Sequence, residues 1–346
     1  RPLLNRTVQG YPPASTIKPL LALTGLEEEF ITPEEEFNDP GFYQLPGIKN
    51  KRRDWKKWGH GKVNLTKSLE QSCNVYYYHL AYKLGISRIS KMMEKFGFGE
   101  YTGIDIYEEN RAIMPSDEWK RARYGERMYT GEILSVGIGQ SYWTVTPLQL
   151  AQAISILVNK GEIKVPHLAK STAELIPASD ENNQGSIKNT EIPIDQKPPI
   201  VLKNSENWNV VLDGLHNTVQ KFGATGYNAF KGSKYDAAGK TGSAQTANLA
   251  QDEKYDATTT QENQRDNAMF IAFAPYENPE IVVAVAIENV AKGGGATNAA
   301  PVARQLMDQY FGDRVIVSKN KHYHHDNTYG EKYLTTSTEN SNEDAN

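Results

Sequence analysis

The chain has 346 residues, 38% of them hydrophobic, and a formal net charge of -4 from 38 basic and 42 acidic side chains. This length supports one large or two ordinary globular domains, and the charge balance offers no electrostatic footprint for nucleic acid, so no nucleic-acid partner is expected. No apolar run approaches the roughly 18 residues of a membrane-spanning helix, and a single cysteine, Cys73, excludes an internal disulfide.

The first predicted helix begins at about Ser15, after two prolines, and runs to about Glu29. Ser15 and Lys18 are three residues apart, so they would share one face of this helix. A desolvated lysine can accept the proton of a neighbouring serine hydroxyl, which would make Ser15 a nucleophile. Because proline is tolerated only in the first helical turn, Pro19 predicts that the helix N-terminus and its free N–H groups lie close to Ser15.

The segment 31–64 is rich in proline and glycine and predicts a long loop that is ordered by something other than regular secondary structure. Helical spacing of apolar residues returns over residues 66–84 and predicts a helix that Gly85 closes. The tripeptide Ser72-Cys73-Asn74 falls in the middle of this helix. A second helix is expected over residues 87–96.

The sequence Thr146-Pro147-Leu148-Gln149 places a threonine at the cap, a proline at the first helical position and a glutamine at the third. This pattern is a capping box and predicts a helix start, and Gly161 ends that helix. Residues 176–199 are rich in polar residues and proline and predict a surface excursion, which is followed by a helix at about 207–221.

Three strands are predicted near the C-terminal end, at residues 235–247, 267–276 and 281–289. The last two are joined by the tight turn 277–280, so we expect them to pair antiparallel. A final helix at about 300–311 would cover this sheet.

The first of these strands contains Gly239-Lys240-Thr241-Gly242-Ser243, whose small residues suit a strand that lies along a ligand cleft. A phosphate-binding loop is excluded, because Lys234 stands where that motif needs glycine and a strand follows where it needs a helix. The glycines around positions 137–139 and 293–295 also lack the spacing of a nucleotide site, so no nucleotide cofactor is expected.

Three short motifs occur in a fixed order along the chain: Ser15-x-x-Lys18, Ser72-x-Asn74 and Lys240-Thr241-Gly242. Each one alone is weak evidence, because Ser-x-x-Lys also occurs on ordinary exposed helix faces. The ordered combination, on compatible secondary structure, is typical of penicillin-recognising serine acyl transferases.

With these motifs the chain resembles the class B penicillin-binding proteins, specifically the transpeptidase domain of the elongation type, penicillin-binding protein 2. The resemblance runs nearly continuously from residue 5 to about residue 311, and it includes Asp39-Pro40-Gly41, residues 53–61, residues 137–140 and residues 273–276. It implies an α+β, serine β-lactamase-like fold with a five-stranded antiparallel sheet between helices and an all-helical lobe.

The resemblance implies a transpeptidase domain at residues 1–318, with a helical lobe at roughly 20–160, a sheet lobe at roughly 200–312 and a disordered polar tail at 319–346. We expect this chain, which begins at Arg1, to lack the membrane anchor and pedestal of the family. We therefore expect a catalytic domain that belongs in the periplasm, attached to the bacterial inner membrane by a part not present here.

The resemblance also assigns roles to individual residues. Ser15 would be the nucleophile, Lys18 its base, Ser72 a proton relay and Asn74 a group that orients the substrate amide. Lys240 and Thr241 would hold the substrate carboxylate, beside Gly242, and the N–H groups of Ser15 and Ser243 would form the oxyanion hole.

The implied substrates are peptidoglycan stem peptides, with a D-alanyl-D-alanine donor and an amine acceptor, and β-lactams would acylate the same serine. The acyl transfer needs no cofactor, and a glycosyltransferase and other elongation-complex proteins are the implied partners. Two alternatives stay open: a D,D-carboxypeptidase or serine β-lactamase, which transfers the acyl group to water, and a non-catalytic β-lactam sensor or scaffold.

Four side chains able to bind zinc, those of Asp39, Asp54, His60 and Cys73, lie within a short stretch of sequence. If Ser72 and Asn74 face the cleft, Cys73 points away from it, toward the loop that carries the other three. A tetrahedral structural zinc site is one interpretation. The other is an ordinary core in which Cys73 is a small buried hydrophobe, Asp54 pairs with a basic side chain and His60 bonds a backbone carbonyl.

Overall fold

The structure, a computed structural model, describes residues 3–176, 186–244, 261–262 and 265–316. The tail expected to be disordered, 319–346, lies outside these residues. The α-helices of the described part are α1 (Lys18–Glu27), α2 (Leu65–Glu70), α3 (Asn74–Lys95), α4 (Asp117–Tyr124), α5 (Thr130–Val136), α6 (Pro147–Val158), α7 (Glu206–Gln220), α8 (Tyr227–Phe230) and α9 (Ala300–Phe311). Its strands are β1 (Phe37–Asp39), β2 (Phe42–Gln44), β3 (Lys51–Arg53), β4 (Gly61–Val63), β5 (Ile163–Lys164), β6 (Ser171–Ile176), β7 (Ser186–Glu191), β8 (Gln196–Lys197), β9 (Ala238–Ala244), β10 (Asn267–Ala274) and β11 (Ile281–Ile287).

The central sheet is antiparallel, and its strand order in the described part of the chain is β11-β10-β9. The short link between β10 and β11 and their antiparallel pairing confirm the prediction from the tight turn. The described ranges contribute three strands to this sheet, where five were expected. Near the end of β11 the N-terminal segment attaches through side chains: Arg6 and Tyr11 both bond the carboxylate of Glu288.

Side chains alternate across this sheet and pack into two apolar cores. On one face, Ile271 and Phe273 join the core formed with α1, α3, α6 and α7. On the other face, Phe270 packs with Met307 of α9. Lys240 pairs with Ile271 in the β9–β10 register, so its side chain lies on the face that looks toward α1. The sheet therefore directs the lysine of the third motif toward the first motif.

The serine motif begins with a tight helical turn. Residues Ala14–Ile17 form a 3-10 helix that leads directly into α1, so helical winding starts close to the predicted position and ends slightly before the predicted Glu29. The Lys18 N–H donates to the Ser15 carbonyl, which is the bonding pattern of this tighter winding. Pro19 lies in the first turn of α1, as predicted.

The prediction that Ser72-Cys73-Asn74 lies inside one helix is wrong. The helix α2 ends at Glu70 and α3 begins at Asn74, and between them Ser72 has a left-handed φ of 52°. The first N–H groups of a helix have no partner within it, and here those of Asn74 and the next residue donate to the Asp54 carboxylate. This remote acceptor stabilises a helix start that the spacing of apolar residues does not reveal.

Other helix predictions are confirmed. Gly85 has non-helical φ and ψ angles inside α3 and kinks it, Thr146 and Gln149 form the capping box of α6, and α7 and α9 lie where helices were predicted. In the part of the excursion 176–199 that the structure describes, β7 is fully exposed and pairs with β6 in a surface hairpin. No helix of the described residues is long and apolar enough to span a bilayer.

The segment 31–64 contains four short strands that pair in two ladders, β1 with β4 and β2 with β3. Gly59 lets the two ends of the segment approach, since a Cβ on this residue would lie 2.2 Å from the Asp39 carbonyl oxygen. Trp58 points outward and is 81% exposed. The prediction of a loop without regular structure is therefore wrong in part, because these ladders depend on pairing between distant residues that local composition does not show. The segment also buries the polar side chains of Asp39, Asp54 and His60 at its base.

Candidate active site

The nucleophile candidate Ser15 follows a residue in an unusual backbone conformation. Ala14 has a left-handed φ of 50°, and its N–H donates to the carbonyl of Gly139 at 2.9 Å. A Cβ on Gly139 would lie 2.1 Å from the Ala14 carbonyl oxygen, so only glycine fits at position 139. The turn at 137–140, which the sequence left without a role, therefore holds the backbone of the serine motif.

Lys18 connects the first motif to the second. Its buried amine donates to Asn74 Oδ1 at 2.7 Å and to the Ser72 carbonyl oxygen at 2.8 Å, and it lies 3.4 Å from Ser72 Oγ. It also lies 5.2 Å from the centroid of the Tyr77 ring. The structure thus brings together side chains that are more than fifty residues apart in sequence, as the motif analysis predicted.

Burial lowers the pKa of Lys18 to about 8, although the negative charge of Asp54 acts in the opposite direction. Desolvation disfavours the charged form of an amine, and this is the larger effect here. A substantial fraction of Lys18 is therefore neutral near pH 8 and able to accept a proton.

Lys240 is also fully buried, and its amine donates to the Thr241 carbonyl oxygen at 3.2 Å. Burial, followed by the positive charge of Lys18, holds the pKa of Lys240 well below its usual value. Two buried amines that interact electrostatically disfavour a second positive charge. An anion bound beside Lys240 would reverse this effect and favour its charged form.

The remaining residues of the third motif lie on β9, the edge strand of the sheet within the described residues. A Cβ on Gly242 would come within 3.0 Å of Thr16 Cγ2, so the absence of a side chain lets the strand pack closely on the serine turn. The Thr241 hydroxyl donates to Thr225 Oγ1 at 3.0 Å. Ser243 is exposed, and its Oγ accepts from the Gly295 N–H at 3.2 Å.

The four candidate metal ligands also come together, and all four are buried. One possible ligand atom from each lies within 4.8 Å of the others. His60 Nδ1 is 2.7 Å from Asp39 Oδ2 and 3.6 Å from Asp54 Oδ1, and Cys73 Sγ is 3.3 Å from Asp39 Oδ2. The cluster lies behind the second motif, as the sequence predicted, because Cys73 separates Ser72 from Asn74.

The donor set of this cluster fits zinc: two carboxylates, one imidazole and one thiol are ligands that structural zinc sites use. His60 Nε2 is buried without a hydrogen-bond partner among the described residues, so the imidazole is not satisfied by protein groups alone. Burial raises the pKa of the Asp39 carboxyl, but hydrogen bonds from the Gly41 N–H, the His60 ring and the Cys73 thiol outweigh it and leave that pKa below its usual value. An ionised Asp39 suits a cation in this place.

Some residues that contact the motifs were not predicted to do so, and three of them bond directly to the motifs or to the residue before Ser15. Gly139 supports the serine turn, Thr225 meets Thr241, and Gly295 bonds Ser243. Glycine at positions 139 and 295 was visible in the sequence, but no short pattern connects it with motifs that lie far away along the chain. Thr225 has no local signal at all.

Comparison with known proteins identifies the family of the chain. A family model described as the penicillin binding protein transpeptidase domain matches residues 1–308. The chain is 43% identical over 318 residues to peptidoglycan D,D-transpeptidase MrdA of Haemophilus influenzae, and the match covers 91% of this chain and 46% of that protein. The chain therefore spans slightly less than half the length of this relative.

Solved structures of penicillin-binding proteins are also similar to this chain in fold. The crystal structure of Pseudomonas aeruginosa PBP2 in complex with WCK 5153 matches with a TM-score of 0.76 at 38% identity, over 92% of this chain and 66% of that one. PBP2 of Helicobacter pylori in a complex with MreC matches with a TM-score of 0.73 at 29% identity, over 90% of this chain and 52% of that one.

Proposed function

The chain belongs to the family of penicillin-binding protein transpeptidase domains and has their fold, and on this premise we propose that it is the catalytic part of an elongation-type peptidoglycan D,D-transpeptidase. The observation that carries the proposal is the position of the Lys18 amine, 2.7 Å from Asn74 Oδ1 and 3.4 Å from Ser72 Oγ. One buried amine contacts both polar groups of the second motif, which is what a shared proton-transfer chain needs. The name of the Haemophilus influenzae relative, a peptidoglycan D,D-transpeptidase, supports the same activity.

In the first half of the reaction Ser15 acts as the nucleophile. Its Oγ attacks the carbonyl carbon between the last two D-alanines of a stem peptide, and its proton passes to the neutral amine of Lys18. The C–N bond then breaks, and Ser72 relays a proton from Lys18 to the departing D-alanine. The product is an acyl ester on Ser15.

In the second half, an amine of a neighbouring stem peptide attacks this ester. The amine loses a proton to Lys18 through Ser72, the C–O bond to Ser15 breaks, and the serine regains its proton. A new amide bond joins the two stem peptides. No cofactor takes part, because the carbonyl chemistry needs only a nucleophile, a base and groups that stabilise the oxyanion.

Lys240 and Thr241 bind the terminal carboxylate of the donor in this proposal. A carboxylate beside Lys240 favours the charged amine that burial otherwise disfavours, so carboxylate binding and protonation of Lys240 are coupled. Gly242 keeps this strand close to the serine turn. The N–H groups of Ser15 and Ser243 form the oxyanion hole, where one donor typically contributes about a hundredfold or more in rate.

A β-lactam test examines the nucleophile directly. The protein is incubated with benzylpenicillin, and its intact mass is measured beside that of Ser15→Ala. One covalent adduct on the wild type and none on the variant is the expected result. An unmodified wild type, or the same adduct on Ser15→Ala, would contradict the proposal.

A second measurement separates the related activities. With a stem peptide and an amine acceptor, a transpeptidase forms the amide product and a D,D-carboxypeptidase gives only hydrolysis. A β-lactamase instead hydrolyses the β-lactam repeatedly. A protein that is acylated but turns over neither donor nor β-lactam would be a sensor or scaffold.

We also propose that Asp39, Asp54, His60 and Cys73 bind a structural zinc ion. All four positions would be filled by protein groups, so the ion would stabilise the fold and take no part in acyl transfer. The close approach of four buried side chains supports this assignment, as does the position of His60 Nδ1 beside the carboxylates of Asp39 and Asp54.

The proposed domain organisation keeps one transpeptidase domain over residues 1–318, with a helical lobe at roughly 20–160 and a sheet lobe at roughly 200–312. The protein would act at the outer face of the bacterial inner membrane, in the periplasm, with a glycosyltransferase and other elongation proteins. The Helicobacter pylori PBP2 structure, a complex with MreC, supports a partner of that kind. Co-purification of the full-length protein with such partners tests this.

A further inference from the structure

The loop 221–226 between α7 and α8 connects two walls of the proposed cleft. On one side it is attached to the end of α2: the Lys221 amine pairs with the Glu70 carboxylate at 2.9 Å, and the Thr225 N–H donates to the Glu70 carbonyl at 3.1 Å. Glu70 lies two positions before Ser72. The backbone of this loop is therefore fixed relative to the second motif.

On its other side the same loop meets the third motif. The Thr225 side chain extends to β9, where its Oγ1 lies 3.0 Å from Thr241 Oγ1. Thr241 is 7% exposed, so its hydroxyl has little access to bulk water. Thr225 thus contacts the wall that carries Ser72 through its backbone and the wall that carries Thr241 through its side chain.

The contact between Thr225 and Thr241 joins two hydroxyl groups, either of which can donate or accept a hydrogen bond. Each hydroxyl has one proton to donate and lone pairs that accept. Without substrate, the Thr241 hydroxyl donates to Thr225. When Thr241 gives its only proton to a substrate carboxylate, Thr225 can rotate its own O–H and donate to Thr241 Oγ1. The donated bond polarises Thr241 and strengthens its bond to the anion.

We propose that Thr225 is a positioning residue for recognition of the substrate carboxylate, since it holds the Thr241 hydroxyl and donates to it when Thr241 donates to the anion. The proposal deepens the proposed function and rests on it, because it requires that Thr241 contacts the carboxylate. Thr225 belongs to none of the three motifs and acts through Thr241 alone.

Acylation by benzylpenicillin measures this role in the variants Thr225→Val and Thr225→Ser. Valine keeps the shape of the side chain and removes the hydroxyl, whereas serine keeps the hydroxyl. We expect Thr225→Val to lower the acylation efficiency about tenfold, which is the effect of one hydrogen bond to a charged system. For Thr225→Val, the half-saturating concentration of benzylpenicillin should change more than the limiting rate of acylation. For Thr225→Ser, the acylation efficiency should stay within about twofold of the wild-type value.

Two comparisons distinguish this role from a merely structural one. With the methyl ester of benzylpenicillin, which has no anionic carboxylate, Thr225→Val should differ little from the wild type. In a protein that already carries Thr241→Val, adding Thr225→Val should lower the acylation efficiency with benzylpenicillin itself only slightly further. Misfolding would slow acylation by the acid and by the ester equally. Its effect on the acylation rate would also add to the effect of Thr241→Val.

Each outcome points to one conclusion. A wild type that no β-lactam acylates contradicts the proposed function. Normal acylation of the wild type, together with an unchanged Thr225→Val or an equal loss on acid and ester, overturns the role of Thr225 alone. A full additional loss in the Thr241→Val background would also overturn it.

Discussion

Asp54 and Asn74 are joined by a hydrogen bond that crosses from the base of the 31–64 segment to the second motif: the Asn74 N–H donates to Asp54 Oδ2 at 2.7 Å. The same oxygen accepts from the Val75 N–H at 3.1 Å, and Asp54 Oδ1 accepts from the Lys56 N–H. One carboxylate therefore caps α3 and fixes the position of the Asn74 side chain, which contacts Lys18.

Asp54→Asn tests this connection. An amide has one acceptor oxygen where the carboxylate has two, so one of the three N–H groups would face an N–H₂ group. The wild type and the variant are both compared after zinc removal with a chelator, so that loss of a proposed zinc ligand does not contribute. We expect the free energy of unfolding to fall by about 1–3 kcal/mol and acylation by benzylpenicillin to slow, although position 54 contacts no substrate. Asp117→Asn is the matched control, because the Asp117 carboxylate also accepts a backbone N–H, that of Met128, but near α4. If Asp54→Asn lost as much stability as Asp117→Asn but kept the wild-type rate of acylation, the connection between Asp54 and the second motif would be contradicted.

Zinc content tests the metal proposal without any activity measurement. Protein purified without chelators should contain about one equivalent of zinc by elemental analysis, and Cys73→Ser should contain less than about a tenth. Ser90→Ala, another small change at a buried position of α3, should keep the wild-type content. A wild type that holds less than about a tenth of an equivalent after dialysis against zinc would disprove the site.

The pH dependence of acylation tests Lys18 as the base. Since the pKa of Lys18 is about 8 and only the neutral amine accepts a proton, the rate should rise about tenfold per pH unit below 8 and level off above it. The titratable groups around this amine are the Asp54 carboxylate, the Lys240 amine and the Cys73 thiol, whose pKa burial raises so that it stays uncharged in this range.

Lys18→Arg is the control for the pH profile, because it keeps a positive charge that does not titrate in this range. We expect a flat profile, slower than the wild type by about a hundredfold or more. A flat wild-type profile between pH 6 and 8, or an arginine variant with the wild-type rate, would exclude Lys18 as the base.

Gly139→Ala tests the support of the serine turn. A Cβ there would lie 2.1 Å from the Ala14 carbonyl oxygen, so the turn that carries Ser15 must shift, and acylation should fall by about a hundredfold. Gly125→Ala is the matched control: its φ is also positive, 76°, but a Cβ would meet nothing within 4 Å. That variant should lose about 1 kcal/mol of stability and keep the acylation rate. Equal rates in the two variants would refute the role of Gly139.

The sequence was sufficient to predict the order of helices and strands near the C-terminus and the three motifs, because each depends on local chemistry. A capping box at Thr146 and a tight turn between β10 and β11 have local signals that tertiary packing did not override. The gathering of four possible zinc ligands could also be predicted, since Cys73 alternates with two residues of one motif.

The break at Ser72 could not be predicted in the same way. A left-handed φ at a residue other than glycine has no local signal, and the acceptor that stabilises the next helix lies about twenty positions earlier, at Asp54. The support of Ala14 by Gly139 and of Thr241 by Thr225 depends on the same kind of long-range contact. Such contacts become visible only when distant segments are placed side by side.

Ala14 and Ser72 both hold left-handed backbone conformations beside the groups proposed to react. Each conformation costs on the order of 1–3 kcal/mol for a residue with a Cβ, so the folded state is less stable than the same chain would be with glycine at these positions. Directed evolution for heat resistance alone would therefore favour glycine at 14 or 72, which would loosen the turn that carries Ser15 in the first case and remove the proposed proton relay in the second. Glycine at either position would therefore raise thermostability and lower the catalytic rate.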